Sequence, residues 1–297
     1  MNRFSDKTNG LINFMDLHSA KYKLLYGVMF LLLILLSLVC LLPVLWVFLS
    51  AFKTPEEMYS VPATLLPESF DFSVIAEIWG KVNFVKYFGN TMYLIIGCLV
   101  FDVVLNGLAG YVLSRVRPIG SALLETLIFG TMLLPGISMV PLYMTFVDMP
   151  IIHVNLTNSF LPMFLMVGCN AFNIMLFRNF FNGIPMDYLE AARIDGCTTV
   201  GIFFKIILPL SKPIVMVVTI FSVIGSWSNF MWPYIILGSS DKETISILLY
   251  KISSGAMTLL DNEVMLVLML AIIPPMIFYM FFSKQIMGGL DMSGIKG

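Results

Sequence analysis

Six stretches of this chain are apolar for about 20 residues or nearly so, and that constrains the fold more than any other feature. The first carries no charged residue from Leu24 to Phe52, and the third carries none from Thr126 to Val147. A helix needs about 20 apolar residues to cross a hydrocarbon core of ~30 Å. Strands of this length outside a closed barrel would leave backbone N–H and C=O groups unpaired in lipid, so the runs read as helices. Their expected extents are about 24–52, 91–113, 124–147, 159–177, 213–237 and 264–283. The first is too long for the h-region of a signal peptide and no small-x-small cleavage site follows it, so it reads as an anchor.

Composition agrees where it matters. Only 12% of the 297 residues are charged, about half the share of a soluble domain. A formal net charge of −1 gives no electrostatic grip on nucleic acid. Cys40, Cys98, Cys169 and Cys197 have no paired or metal-like spacing and read as small apolar residues. His18 and His153 fall on opposite sides of the expected membrane. No Ser-His-Asp set, HExxH sequence or pair of intramembrane aspartates points to catalysis. The chain is therefore expected to be non-catalytic, with no metal or cofactor of its own.

The basic residues orient it. Arg3, Lys7, Lys21, Lys23, Arg115, Arg117, Arg178, Arg193, Lys205, Lys212, Lys284 and Lys296 fall on one side. That is 12 of the 17, leaving Lys53, Lys81, Lys86, Lys242 and Lys251 on the other. The positive side is cytoplasmic, so both termini are expected there, with an N-terminal segment 1–23 and a tail 286–297. The six-helix domain then covers 24–285. Its external loops are 53–90, 148–158 and 238–262, and its longest cytoplasmic loop is 178–212.

That cytoplasmic loop contains "EAARIDGCTTVGIFFKIILPLSKP", residues 190 to 213. Pro185 and Asp187 suit a helix start, and Gly196 suits a left-handed stop. Thr198 or Thr199 can cap a second helix, which is expected to end at Pro209 and Pro213. Tyr188, Ala191, Ala192 and Asp195 share one face of the first helix, low enough for another surface to approach. Ile202, Phe203, Ile206 and Ile207 would pack the second helix against the membrane domain. On this pattern alone, an amphipathic helix resting on lipid is an equal alternative.

Glu190-Ala191-Ala192, three residues, Gly196, nine residues and then Ile206-x-Leu208-Pro209 resembles the EAA motif of bacterial ABC-importer permease subunits. "SAFKTPEEMYSVPATLLPESF", "LLPGISMVPLYMTF" and "SWSNFMWPYIIL" are similar to carbohydrate-type members of that family, including those of the maltose transporter. Trp227-Ser228-Asn229-Phe230 departs slightly from the usual Trp-Asn before Phe. The resemblance implies an all-α membrane protein: six transmembrane helices in the type I ABC-importer permease fold, with cytoplasmic EAA coupling helices. It implies a second homologous permease subunit, two ATPase subunits that bind the ATP and Mg, and an extracytoplasmic solute-binding protein. The cargo would be a sugar or oligosaccharide crossing the bacterial cytoplasmic membrane. Glu190, Ala191, Ala192, Asp195, Gly196, Ile206, Leu208 and Pro209 would couple the chain to the ATPases. Residues 238–262 would touch the binding protein, and the tail would reach between the ATPases.

Other residues leave alternatives open. Asp102 and Asn106 share a face of the second helix, where a bare charge costs ~2.5–3.5 kcal/mol on insertion scales. They, with Asn229, either line a translocation path or form an inter-helix polar contact. Pro135, Gly136 and Pro141 could hinge the third helix. Gly107, Gly110, Gly225 and Ser226 read as close-packing points. Two rival functions remain: the same architecture importing a non-sugar polar solute such as glycerol phosphate, and an ion-coupled secondary transporter using Asp102 and Glu125.

Overall fold

The computed structural model describes residues 20–62, 64–133, 139–238 and 240–291. Every regular element in them is helical. The chain divides into two compact units, residues 1–74 with 260–269, and residues 75–259 with 270–297.

In the first unit the helix Ala20–Ser50 is apolar on every side and exposes its side chains almost throughout its first two dozen residues. A helix with no polar face has no stable place in water. Beyond Ser50 the chain folds into a cap. Thr54 Oγ accepts from the Glu57 amide while the Glu57 carboxylate accepts from the Thr54 amide, a capping box at the single turn Pro55–Met58. Lys53, 3% exposed, donates to the Thr64 carbonyl, with its ammonium 4.7 Å from the Trp46 ring centre. Phe52 packs on Phe70 and Phe72, and the Tyr59 hydroxyl donates to Asp261.

In the second unit the second span is one helix from Phe84 to Val116, earlier and longer than 91–113. The expected loop 53–90 is correspondingly shorter, and it holds a further helix, Ser73–Lys81. Two wide π turns, Asp102–Asn106 and Val112–Val116, interrupt the second span. The third span is helical over Ser121–Leu133 and Met139–Val147. Pro135 and Gly136 lie outside the described residues. Pro141 lies within Met139–Val147.

The fourth and fifth spans are also interrupted. Leu161–Gly168 and Ala171–Asn182 meet at 45°, and Lys212–Ser228 is separated from Met231–Leu237 by Asn229 and Phe230. The segment 238–262, expected as a loop, carries the helix Ile245–Ser253, with Ile245, Ile247 and Leu248 buried. The sixth span runs on from the first unit to Asp291.

Close approach of small residues holds the second span to the fourth. A Cβ on Gly110 would lie 2.7 Å from the Phe177 Cβ and 2.9 Å from the Arg178 backbone nitrogen. Lipid tails are as apolar as the side chains, so the helices gain from contact rather than from leaving water. Gly110→Ala must push two backbones apart, and overpacking of this kind costs about 1–3 kcal/mol. A lower unfolding temperature of the detergent-solubilised protein is expected, and an unchanged one would mean the helices part freely. Gly225 is not such a packing point, because no atom lies within 4 Å of a Cβ built there.

Candidate functional site

The polar centre of the second unit grows out of the break in the fourth span. Ending one helix at Gly168 and starting another at Ala171 frees backbone groups that water cannot satisfy at this depth. Asn106 takes up two of them: its amide donates to the Val167 carbonyl at 2.8 Å, and its oxygen accepts from the Asn170 N–H at 3.0 Å. Asn170 then caps the second half-helix, accepting from the Asn173 N–H at 3.1 Å. Asp102 closes the network. It accepts from the Asn106 side chain at 2.6 Å and from the Asn173 side chain at 2.8 and 3.0 Å. Asp102 and Asn106 are both 0% exposed. All three of these bonds come from side-chain amides, and an amide nitrogen can only donate.

This network forms part of the wall of a cavity of about 230 Å³. Asp102, Asn170, Asn173, Ser222, Ser226 and Asn229 supply its polar surface, and Phe172, Phe221 and Trp232 its aromatic surface. Asn229 stands at the break in the fifth span, where its side chain accepts from the Trp232 N–H at 3.4 Å. The structure thus brings Asp102 and Asn229 to one cavity, with Asn106 behind the wall. Asn170, Asn173 and Ser222 are not singled out by the sequence pattern, and Ser226 reads there only as a packing point. All four are polar side chains at i, i+3 or i, i+4 spacing within or beside apolar runs, the same signal that draws attention to Asp102.

Glu125 does not reach this cavity's wall. It pairs with Arg178 at 2.6 Å, each side chain 26% exposed.

The loop between the fourth and fifth spans folds as two limbs. Asp187–Ile194 is the first helix, and it ends with Gly196 at φ +79°. The Gly196 N–H donates to the Arg193 carbonyl and the Cys197 N–H to the Ala192 carbonyl, the paired bonds of a Schellman stop. Thr198 caps the second limb by accepting from the Gly201 N–H. That limb continues through Pro209 to Leu210, rather than ending at Pro209, and turns by 84° before Lys212. The π turn Phe203–Ile207 just before Pro209 shifts the bonding register, so the proline's missing N–H interrupts little. Ser211 makes the corner, its hydroxyl donating to the Ile207 carbonyl at 2.6 Å.

Ile202, Phe203 and Ile207 are 0–1% exposed and pack with Tyr111, Phe177 and Phe181. Ala192 is 4% exposed and packs in the same cluster as Leu189, yet it still lines the cleft formed by the expected face. Glu190, Ala191, Asp195 and Gly196 remain exposed. Tyr188, Ala191, Ala192 and Asp195 line one cleft together with Lys205, Ile206 and Pro209. Leu208 is half-buried against the inner cluster. Arg115 ties this loop to the fourth span, donating to the Phe181 and Ile184 carbonyls at the helix end.

On the other side, Lys86 pairs with Asp241 at 2.6 Å and Lys251 with Glu243 at 2.5 Å. Asn90 donates to the carbonyls of Asp241 and Glu243, fixing the 238–251 segment to the start of the second span. The Lys86 hydrogen bond holds the Asp241 carboxyl below the usual carboxylate range.

Interrupted apolar helices around a polar cavity, with a two-limbed helical loop between the fourth and fifth spans, define a transport-type membrane protein. The chain belongs to the family described as the binding-protein-dependent transport system inner membrane component, which matches residues 106–287. It is 30% identical to the polygalacturonan/rhamnogalacturonan transport system permease protein YtcP of Bacillus subtilis (strain 168), over 92% of this chain and 97% of that one. It is 31% identical to the arabinooligosaccharides transport system permease protein AraQ of the same organism, over 94% and 99%. One chain of a bacterial ABC transporter involved in the import of the acidic polysaccharide alginate superposes with a TM-score of 0.78. That match has 26% identity and covers 90% of this chain and 98% of that one. The resemblance to ABC-importer permease subunits therefore holds for nearly the whole chain, and the protein is a membrane-embedded transporter component.

Proposed function

We propose that this chain is the permease subunit of an ATP-driven importer that carries a sugar or oligosaccharide across the cytoplasmic membrane. The observation that carries the reading is the cavity, whose lining combines amide and hydroxyl groups with aromatic rings. Sugars present a rim of hydroxyls and apolar C–H faces, so such a wall meets both. The chain's permease relatives support the carbohydrate reading.

The exposed loop from Glu190 to Pro209 is then the seat for a cytoplasmic ATPase, and the cleft at Tyr188, Ala191 and Asp195 is where its surface enters. A second, homologous permease subunit would face this one across the path, and two ATPase subunits would bind the ATP and Mg and do the hydrolysis. A binding protein would deliver cargo to the external face, where the exposed residues 253–256 project beyond the buried part of Ile245–Ser253. Both termini lie in the cytoplasm on the 12-to-5 bias of basic residues, and lipid surrounds the first span. Closure of the ATPases would push on the loop and turn the spans as rigid bodies, exposing the cavity to each side in turn.

The ion-coupled rival loses ground on two observations. Asp102 is held by amides that also satisfy the broken helix, and Glu125 is neutralised by Arg178. The test is purification of the chain from its native membrane, followed by reconstitution with whatever accompanies it. An ATPase and a second permease should co-purify, and the vesicles should take up a labelled oligosaccharide only with ATP and binding protein. Uptake of glycerol phosphate instead would leave the architecture and replace the cargo; uptake driven by an ion gradient without ATP would overturn the reading.

A further inference from the structure

The relatives' names do not agree on the charge of the cargo: alginate and polygalacturonan are acidic polymers, whereas arabinooligosaccharides are neutral. The cavity of this chain bears on that question. Resting on the carbohydrate reading, we propose that this permease carries neutral sugars and that Asp102 rejects uronates, the sugars that bear a carboxylate.

The argument begins with what an anionic sugar would need. A carboxylate leaving water for a membrane interior must be met by a cation or several N–H donors, or its desolvation goes uncompensated. Among the described residues lining the cavity there is no lysine, arginine or histidine, and Asp102 is the one side chain with a formal charge. Four basic groups of the second unit are engaged elsewhere, and none of its other basic residues lines the cavity. Arg115 holds helix-end carbonyls, Arg178 pairs with Glu125, and Lys86 and Lys251 pair with external acids.

The strongest donors near the cavity are also spoken for. The Asn173 side-chain amide points at Asp102, and the Asn106 amide is divided between Asp102 and the Val167 carbonyl. A cargo carboxylate would compete with Asp102 for these groups while being repelled by it. What remains free suits hydroxyls. Ser222 Oγ is buried beside Asp102 with no other hydrogen-bond partner among the described residues, and Ser226, next to Cys98, also lines the wall. A hydroxyl group both donates and accepts, and can satisfy each of these groups. Phe172 and Phe221, with ring centres 6.2 Å apart, offer an apolar surface to the face of a sugar ring.

The test uses the whole assembly in proteoliposomes with its binding protein. Uptake of neutral arabino- and galacto-trisaccharides is compared with that of trigalacturonate, each at a concentration that saturates the binding protein. Repulsion between two carboxylates a few ångströms apart at protein-like screening predicts a neutral sugar carried roughly a hundredfold faster. Asp102→Asn removes the charge and should bring that ratio below roughly tenfold, mainly by raising uronate uptake. Comparable wild-type rates for the two sugars would overturn this inference and leave carbohydrate import standing. Uptake of neither, with ATP hydrolysis intact, would overturn the carbohydrate reading and this one with it. Should Asp102→Asn fail to assemble, the wild-type ratio alone decides the matter.

Discussion

Glu190→Ala is expected to strip the transporter of its ATPase, or to leave the ATPase bound but idle, without unfolding the permease. Glu190 is exposed in the first helix of the loop, and its side chain makes no hydrogen bond or ion pair among the described residues. Its removal therefore deprives the folded chain of nothing. The residues beneath it, Leu189 and Ala192, are 0% and 4% exposed and hold the helix in place without its help. Thermal unfolding should move by no more than the ±0.5 kcal/mol usual for a surface substitution. At a closed interface the balance reverses, because truncating one member of a desolvated charge pair costs about 2–5 kcal/mol. That corresponds to a loss of coupling of some thirtyfold or more. The measurement is co-purification beside wild type, with ATP hydrolysis and uptake assayed in the same vesicles. The variant should keep its second permease and lose either the ATPase or the link between hydrolysis and uptake. A variant that couples normally would remove Glu190 from the interface and move attention to Tyr188, Ala191 and Asp195 in the neighbouring cleft.

How far the chain can be read from its sequence depends on which force wrote each feature. Membrane crossing demands apolar length, and length is visible: the uncharged run from Leu24 corresponds to Ala20–Ser50. Cap chemistry is local and equally visible at Gly196 and Thr198, where one residue's backbone preference decides the turn. The breaks at Cys169–Asn170 and at Asn229–Phe230 are hidden. A helix apolar on all sides has no amphipathic rhythm to lose, so interrupting it changes no pattern. The only trace is asparagine and serine where lipid should forbid them. The Asn106 bonds to Val167 and Asn170 join positions some 60 residues apart, and nothing local encodes them. Pro209 misleads because a proline's effect depends on the turn before it, and a π turn cannot be read from composition.

Asp102 makes the last distinction, between a residue that carries protons and one that shapes a cavity. Asp102→Leu should destabilise the protein far more than Asp102→Asn. Leucine abandons the Asn173 amide and half of the Asn106 amide, the first of them at the cavity wall. Leaving buried donors unmade costs about 1–3 kcal/mol each. Hydrogen bonds inside membranes average only ~0.6 kcal/mol when the freed groups can find other partners. Here the freed groups cannot, because Asn106 and Asn170 are fixed by the backbone of the broken fourth span. The larger figure applies, and Asp102→Leu should lose about 2–5 kcal/mol in thermal unfolding. Asparagine keeps an oxygen at the Oδ1 position, where both amides already point, and loses only the 3.0 Å Asn173 bond to Oδ2, now an NH2, so Asp102→Asn should cost about 1 kcal/mol. Its ATP-dependent uptake of a neutral sugar should survive with an unchanged pH profile, because no step in this reading moves a proton through the carboxylate. If Asp102→Asn instead folds normally but abolishes uptake together with its pH dependence, Asp102 carries a proton. In that event the cavity belongs to an ion-coupled carrier, and the loop at Glu190 has some other purpose.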